Sequence, residues 1–294
     1  MIKHEYLRYI KSRFNILILL AISLPVIVSY YMTSIEKNDW KEQIALNPAD
    51  LNIEGAKLTL EGYNGMAFLD HFLFSPDFYI VFVVILLIGF GIHLCAVSYY
   101  HLNAGMGAIM VSKMGYKKYI LSLLTAQCLY IITFILVYFS LLVLLSLILW
   151  GGYSDFLITG LGEVNGANHF LMMIGHIILL IIYTCLVVSA TSLLTHVVKN
   201  KYLLQIMPFI FYFVTFIFSS FLGSVLYELG YSLYQATWYF VSDHYLLGIY
   251  FYQASDAGFQ SFVLSVVTLP SLLIIFLLVL AITNIKKYEK SYLL

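Results

Sequence analysis

Charged residues are scarce in this sequence. Only 10% of its 294 residues are Asp, Glu, Lys or Arg, whereas soluble domains carry about a quarter. Hydrophobic residues make up 62% of the chain and aromatic residues 17%. This balance excludes an ordinary soluble domain and places the excess apolar side chains in lipid. We therefore predict an all-α integral membrane protein.

The motifs of common enzymes are also missing. The sequence has no HExxH, CxxC or GxSxG pattern, no paired carboxylates, and no Walker A sequence with which to bind a nucleotide. Its cysteines fall inside apolar runs, which argues against a disulfide framework or a thiolate metal site; they are Cys95, Cys128 and Cys185. We expect a chain that is not an enzyme and that binds no metal, cofactor or nucleic acid itself.

Long apolar runs divide the chain into six predicted spans. Each approaches or exceeds the roughly 20 residues that cross a hydrocarbon core of about 30 Å, and the third is long enough to require tilt or protrusion. No Asp, Glu, Lys or Arg lies within any of them. The predicted spans are Phe14–Met32, Phe78–Ser98, Ile120–Trp150, Phe170–Leu194, Leu203–Phe221 and Phe262–Ile285.

Four segments outside the spans complete a single transmembrane domain over residues 1–294. Residues 1–13 are typical of a basic amphipathic helix on the membrane surface, or simply of the positive flank of the first span. Residues 34–77 form a small extracellular segment in which KLTLEGYNGMAF could make a β-hairpin. Residues 99–119 form a basic loop. Residues 223–260 are aromatic but interrupted by acidic residues, which favours a re-entrant or interfacial hairpin.

Basic residues are concentrated on one side of this topology. With both termini in the cytoplasm, twelve of the fifteen basic residues lie inside, and only Lys37, Lys41 and Lys57 lie outside. Glu5 and Glu289 are the only acidic residues inside. Because basic residues near span ends stay in the cytoplasm, the charge distribution favours six spans with both termini inside.

Few polar side chains remain within the spans to line a path for a cargo. The candidates are His93, Gln127 and His176. Both histidines stand near glycines that allow close helix approach and lack a carboxylate partner, which favours a packed structural histidine over a proton relay. Tyr234 and Trp238 of the aromatic hairpin are candidates for an outer gate, with an interfacial aromatic belt as the alternative.

The loop between spans two and three carries the most specific pattern. It reads YYHLNAGMGAIMVSKMGYKKY and has no acidic residue. The loop and the six-span layout resemble ABC-2 type transporter permeases, in particular small bacterial ones linked to peptide export or antimicrobial-peptide immunity. Many such permeases have a glutamate early in this loop, where this chain has His101. The matching positions are Asn103, Gly105, Gly107, Ser112, Lys113, Tyr116, Lys117, Lys118 and Tyr119.

The resemblance implies a function that depends on other chains. It implies a type V exporter-like fold and a permease subunit that moves an amphipathic or lipid-like cargo, such as a peptide, an antimicrobial peptide or a lipid, across a bacterial cell membrane. Two copies of a cytoplasmic ABC ATPase would bind ATP and Mg, and a second permease chain, the same or related, would complete the pathway. The segment from Asn103 to Met114 would form a short helix docked on the ATPase. The implied coupling residues are Asn103, Gly105, Gly107, Ser112, Lys113, Tyr116 and Lys117.

Other interpretations stay open on the sequence alone. The loop lysines could pair with anionic lipid head groups instead of an ATPase. The chain could be a secondary transporter that uses His93 and His176, although uncharged spans and the absence of a visible inverted repeat disfavour it. A membrane-embedded enzyme or the sensor partner of a signalling kinase is a third class.

Overall fold

The structure is a computed structural model. It describes residues 1–46, 53–74, 76–103, 106–151, 166–196, 198, 200–228, 279, 282 and 283. These residues are nearly all helical, as the composition predicts. The helices are α1 (Ile2–Ile10), α2 (Phe14–Leu46), α3 (Ile53–Gly62), α4 (Gly65–Phe74), α5 (Pro76–Phe90), α6 (Ala96–Asn103), α7 (Met106–Met114), α8 (Tyr116–Trp150), α9 (Gly166–Leu193) and α10 (Lys201–Glu228), with a π-helical turn at Gly91–Cys95 and a 3₁₀ turn at Leu194–His196.

Within this described part, four helices are long and apolar enough to cross a membrane. They are Phe14–Leu46, Asp77–His101, Tyr116–Trp150 and Met173–Leu193. These four helices confirm the prediction of a helical protein suited to cross a membrane several times. The first part of α10, Lys201–Val214, is also apolar and coincides with the start of the fifth predicted span. Residues 229–260 and most of the predicted sixth span lie outside the described residues, so the six-span count and the re-entrant hairpin stay predictions.

The long helices pack around aromatic side chains. α2 runs along α5, α8 packs against α1 and α9, and α10 packs against α5 and the π turn. Phe82, Phe90 and Tyr130 lie between them, each 0% or 1% exposed. The side chains that face outward are also apolar, but aliphatic. Examples are Leu20 and Ile148, which are 64% and 70% exposed. Apolar side chains on both the inner and outer sides are what helices surrounded by lipid require.

The predicted β-hairpin in KLTLEGYNGMAF is wrong, because this stretch belongs to two helices. α3 ends at Gly62 and α4 begins at Gly65. The alternation in KLTLE favours a strand locally, but Phe68, Leu69 and Phe72 recur at helical spacing and are fully buried. Their burial against α2, α5 and α8 decides the conformation. α2 also differs from the prediction, since it ends at Leu46 whereas the first predicted span ends at Met32.

α4 closes one end of the bundle. The Phe68 ring stacks on the Trp150 ring with centroids 4.1 Å apart, and the Tyr30 ring meets Trp150 edge-on at 5.1 Å. On the other side, His71 Nδ1 lies 3.1 Å from Thr33 Oγ1 of α2. Because Trp150 is the last residue of α8, α4 covers the end of the bundle that is remote from α7.

A π-helical turn interrupts the second span between α5 and α6. It covers Gly91–Cys95. A π turn is an energetically costly feature that often marks a functional position in a helix. α10 approaches the backbone closely here, since a Cβ on Gly91 would collide with the carbonyl oxygen of Gln205. A small residue therefore sets the distance between α10 and the second span.

Candidate functional site

A short helix occupies the middle of the predicted coupling loop. α6 ends at Asn103, and α7 runs from Met106 to Met114. The next residue, Gly115, has φ of 82° and ψ of 148°, a conformation that is open to glycine and costly for other residues. α8 then begins immediately at Tyr116. α7 is thus a separate helix placed between the ends of the second and third spans.

The inner face of α7 packs on the ends of two spans. Val111 is 7% exposed and belongs to a small apolar core with Tyr119 and Ile120 of α8 and Leu193 of α9. Two methionines of α7 pack on the edge of this core. A force applied to α7 would therefore be transmitted to both the third and the fourth span.

The outer face of α7 combines one apolar side chain with positive charge. Ile109 is 59% exposed, and Ser112 and Lys113 follow one helical turn later. Ser112 Oγ donates to the carbonyl of Ile109 at 2.8 Å, which turns its polar group onto its own helix. Lys117 is exposed at the start of α8. This face suits a partner surface that offers an apolar pocket beside acidic side chains.

The predicted coupling residues do not share one environment. Tyr116 is 5% exposed and belongs to the small core rather than to the outer face. Asn103 is the last residue of α6, and Gly107 is in the first turn of α7. Gly105 lies outside the described residues. Among the members of the predicted set whose burial the structure describes, Ser112, Lys113 and Lys117 are exposed.

His101 at the end of the second span contacts the N-terminal helix. Arg8 Nη1 donates to His101 Nε2. His101 Nδ1 lies 3.4 Å from Tyr119 Oη of α8. The Glu5 carboxylate oxygen Oε2 lies 3.8 Å from both His101 Nε2 and Arg8 Nη1. Glu5 and His101 are only 5% and 6% exposed, so four polar groups from three helices meet in a nearly buried cluster.

We did not predict this cluster from the sequence, although the sequence contains two signals for it. Glu5 is the one acidic residue of a strongly basic N-terminal segment and precedes Arg8 by three residues, a helical spacing. His101 stands where the resembled family often has a glutamate. Neither signal shows that the two positions meet, because 96 residues separate them in the chain and only the packing of α1 brings them together.

α1 is attached to the bundle through polar side chains. Its buried residues are Glu5 and Tyr9, whereas Ile2 and Ile10 are 39% and 40% exposed. Burial, together with the nearby Glu5 carboxylate, raises the pKa of the Tyr9 phenol, which therefore stays neutral. The helix predicted within residues 1–13 is present and packs on α8. Its location at the membrane surface stays a prediction.

Gln127 joins three spans through a buried hydrogen-bond network. Its Nε2 donates to Ser98 Oγ at 2.7 Å and to the Leu94 carbonyl at 3.3 Å, and its Oε1 accepts from Ser192 Oγ at 3.0 Å. Leu94 belongs to the π turn, where the regular helical hydrogen-bond pattern is interrupted. Backbone carbonyls within a membrane must find donors inside the protein. These contacts give Gln127 a role in holding the spans together, and its place on a translocation path stays a prediction.

The two span histidines lie in separate aromatic environments. The His93 ring stacks on Phe14 with centroids 5.6 Å apart and meets Tyr9 and Tyr130 edge-on, and its Nε2 lies 3.4 Å from the Tyr9 carbonyl. The His176 ring instead meets Tyr79 at 4.8 Å. Tyr79 precedes His93 by 14 residues, roughly 20 Å along a helix. The two histidines are therefore too far apart to exchange a proton directly, and Tyr234 and Trp238 lie outside the described residues.

A further contact ties the start of α10 to the end of the second span. Lys201 Nζ donates to Tyr100 Oη at 2.5 Å and lies 4.9 Å from the centre of the Tyr100 ring. This hydrogen bond raises the pKa of the Lys201 ammonium, so Lys201 is charged at neutral pH. The second span thus meets α1 and α10 at the end of the bundle that carries α7.

Among the described residues, no group of three or more His, Cys, Asp or Glu side chains could hold a metal ion. The fold and the site together define a helical protein with several apolar helices long enough to cross a membrane and with a short helix packed on the ends of two of them. Comparisons with protein-family models, with curated proteins and with solved structures gave no match.

Proposed function

We propose that this chain is the membrane permease subunit of an ATP-binding cassette transporter of the ABC-2 type. The position of α7 is the observation that carries the proposal. α7 exposes Ile109 and Lys113 on one face, and on the other it packs through Val111 against the third and fourth spans. A helix of this kind can receive force from a soluble subunit and pass it to the membrane part of the molecule.

ATP binding on two copies of the partner ATPase would draw them together and displace the α7 helices docked on them. The small core around Val111 then carries the displacement to Tyr119 on α8 and Leu193 on α9. The chain itself supplies no catalysis, since it has no nucleotide-binding motif. ATP and Mg bind to the partner, and a second permease chain, the same or a related one, provides the other half of the pathway.

The cargo is proposed to be amphipathic or lipid-like, such as a peptide, an antimicrobial peptide or a lipid. The predicted spans contain no Asp, Glu, Lys or Arg, and charged residues at membrane depth are typical of pathways for ions and protons. The outward surface of α2 and α8 is aliphatic, which suits a molecule that travels partly in contact with lipid. The proposed location is the bacterial cell membrane, with both termini in the cytoplasm.

The test is a pull-down of the tagged chain from its native membranes in mild detergent, with ATP hydrolysis assayed in the eluate. We expect a nucleotide-binding subunit to co-purify with the native chain. Ile109→Asp and Lys113→Glu change only the exposed face of α7, and each should reduce the co-purified ATPase activity about tenfold or more, because interface centres tolerate misplaced charge poorly.

Lys11→Glu is the matched control for this experiment. It reverses an exposed positive charge directly after α1, outside α7, and should leave the co-purified activity unchanged. Thermal unfolding of each purified variant establishes that the fold is retained. Isolation of the native chain without any ATPase, from membranes in which the variants are equally stable, would exclude the proposed function.

A further inference from the structure

In the cluster of Glu5, Arg8, His101 and Tyr119, the protonation state of His101 determines which hydrogen bonds its ring can make. Arg8 Nη1 donates to His101 Nε2, so this nitrogen carries a lone pair and no proton. The proton of the neutral ring then lies on Nδ1, which donates to Tyr119 Oη at 3.4 Å. The geometry therefore corresponds to a neutral imidazole that accepts from an arginine on one side and donates to a phenol on the other.

Glu5 is the group that makes an exchange feasible. Its Oε2 is buried and has no hydrogen-bond partner among the described residues. It lies 3.8 Å from His101 Nε2 and 3.8 Å from Arg8 Nη1, close to both but bonded to neither. A buried carboxylate oxygen without a donor is unfavourable, and a proton on His101 Nε2, together with a small movement of the imidazole, would provide one.

We propose that protonation of His101 switches its partner from Arg8 to Glu5. A proton on Nε2 removes the lone pair that accepts from Arg8 and turns that nitrogen into a donor. The donor then faces the unpaired Glu5 oxygen and forms a charge-assisted hydrogen bond, which is stronger than a neutral one. The Arg8 side chain, which is 49% exposed, turns outward to water or to lipid phosphates.

The exchange changes how α1 is attached to the second span. In the neutral state the link between α1 and His101 is one hydrogen bond from a half-exposed arginine, whereas in the protonated state it is a buried ion pair with Glu5. Acidification on the side that carries α1 therefore fastens α1 to the end of the second span and releases a positive charge toward the surface. Among the described residues, the ionisable groups that act on His101 are Glu5, Arg8 and His4 of α1, and Tyr119 of α8 lies beside it. The His4 side chain is 83% exposed, so solvent screens its charge.

The exchange concerns this chain alone and is tested without any ATPase. The full chain, labelled with ¹⁵N-histidine, is placed in lipid nanodiscs, and the His101 ring is followed by NMR from about pH 8 to about pH 5, the range in which histidine titrates. Its signals are assigned by their loss in His101→Gln. We expect His101 to titrate within this range in the native chain.

Two variants should move the titration midpoint of His101 in opposite directions. Glu5→Gln removes the acceptor of the protonated ring and should lower the midpoint by about one pH unit. Arg8→Gln removes the donor to the neutral ring together with a nearby positive charge, and it should raise the midpoint by a similar amount. Lys11→Gln removes a cation directly after α1, outside the cluster, and should leave the midpoint unchanged.

A second readout follows the attachment of α1. A nitroxide on Lys11→Cys, in a chain whose native cysteines are replaced by alanine, should lose mobility by EPR as the pH falls, and His101→Gln should abolish the change. The proposal is overturned if His101 does not titrate between about pH 5 and pH 8, or if Glu5→Gln and Arg8→Gln shift its midpoint in the same direction. The first result does not require Glu5→Gln or Arg8→Gln to fold, because it depends only on the titration of the native chain.

Discussion

Gln127 illustrates what a single polar side chain does inside an apolar bundle. Its three hydrogen bonds reach the backbone of the π turn and the serines of two neighbouring spans. Interhelical hydrogen bonds in membrane proteins contribute about 0.6 to 2 kcal/mol each. Loss of a partner that leaves a buried acceptor without a donor costs about 1–3 kcal/mol. The hydrogen bonds of Gln127 should therefore make a measurable contribution to the free energy of unfolding.

Gln127→Leu roughly keeps the side-chain size and removes the three hydrogen bonds that the Gln127 amide makes to Leu94, Ser98 and Ser192. We expect the free energy of unfolding to fall by about 2 kcal/mol, measured as a lower melting temperature in detergent. The control is Thr125→Val on the same helix, because Thr125 is exposed and its hydroxyl donates to the Leu121 carbonyl of that helix rather than to another span. Equal melting temperatures for the two variants would show that the network does not stabilise the protein.

The sequence indicated these residues only in part. Gln127 and His93 stand out as polar side chains within uncharged runs, so both could be named in advance. Ser98 and Ser192 could not, since serine is common in membrane helices and nothing local shows which serines face each other. The same holds for Glu5 and His101, whose meeting depends on the packing of α1 rather than on any spacing in the chain.

Among the elements, the contact between α10 and the π turn depends on the absence of a side chain at Gly91. A Cβ at this position would meet backbone atoms of Gln205, which cannot move without displacing α10. Two residues earlier, a Cβ on Gly89 would lie 3.1 Å from the side chain of Ile18, which can adjust its rotamer. The two glycines therefore offer a comparison between backbone and side-chain crowding in one helix.

Gly91→Ala should separate α10 from the second span and destabilise the protein by about 1–3 kcal/mol, the usual cost of overpacking. Gly89→Ala should cost clearly less. Melting temperatures of the two purified variants in the same detergent check the order. The interpretation of the π turn as the point of closest approach is contradicted if Gly89→Ala is the more damaging change.

At the scale of the elements, the long apolar helices could be predicted from the sequence more accurately than the short helices between them. The apolar runs determined the positions of the long helices, because a continuous run of that length has few alternatives in lipid. α3 and α4 were missed because their local pattern is ambiguous and their burial against α2 and α8 decides the outcome. α7 was expected only through the resemblance of its loop to a known family.

The topology of the whole molecule can be tested independently of its function. In a chain without native cysteines, we expect Lys57→Cys to react with a membrane-impermeant maleimide in intact cells, since Lys57 is exposed in the predicted extracellular segment. Lys11→Cys and Lys286→Cys should react only after the membrane is permeabilised. Labelling of Lys286→Cys from outside would mean an odd number of spans between the termini and would contradict the predicted six.

The position of α4 has a consequence for the route that a cargo can take. Entering among α2, α5 and α8 from the end that carries α7, a molecule would meet the stacked rings of Phe68 and Trp150 before it reached the far side. Passage there requires α4 to swing away and to break its contact with Thr33. Among the described residues, no such obstacle stands along the aliphatic exterior of α2 and α8. Under the proposed function, that exterior would form one wall of the route of the cargo, and a second chain would form the other.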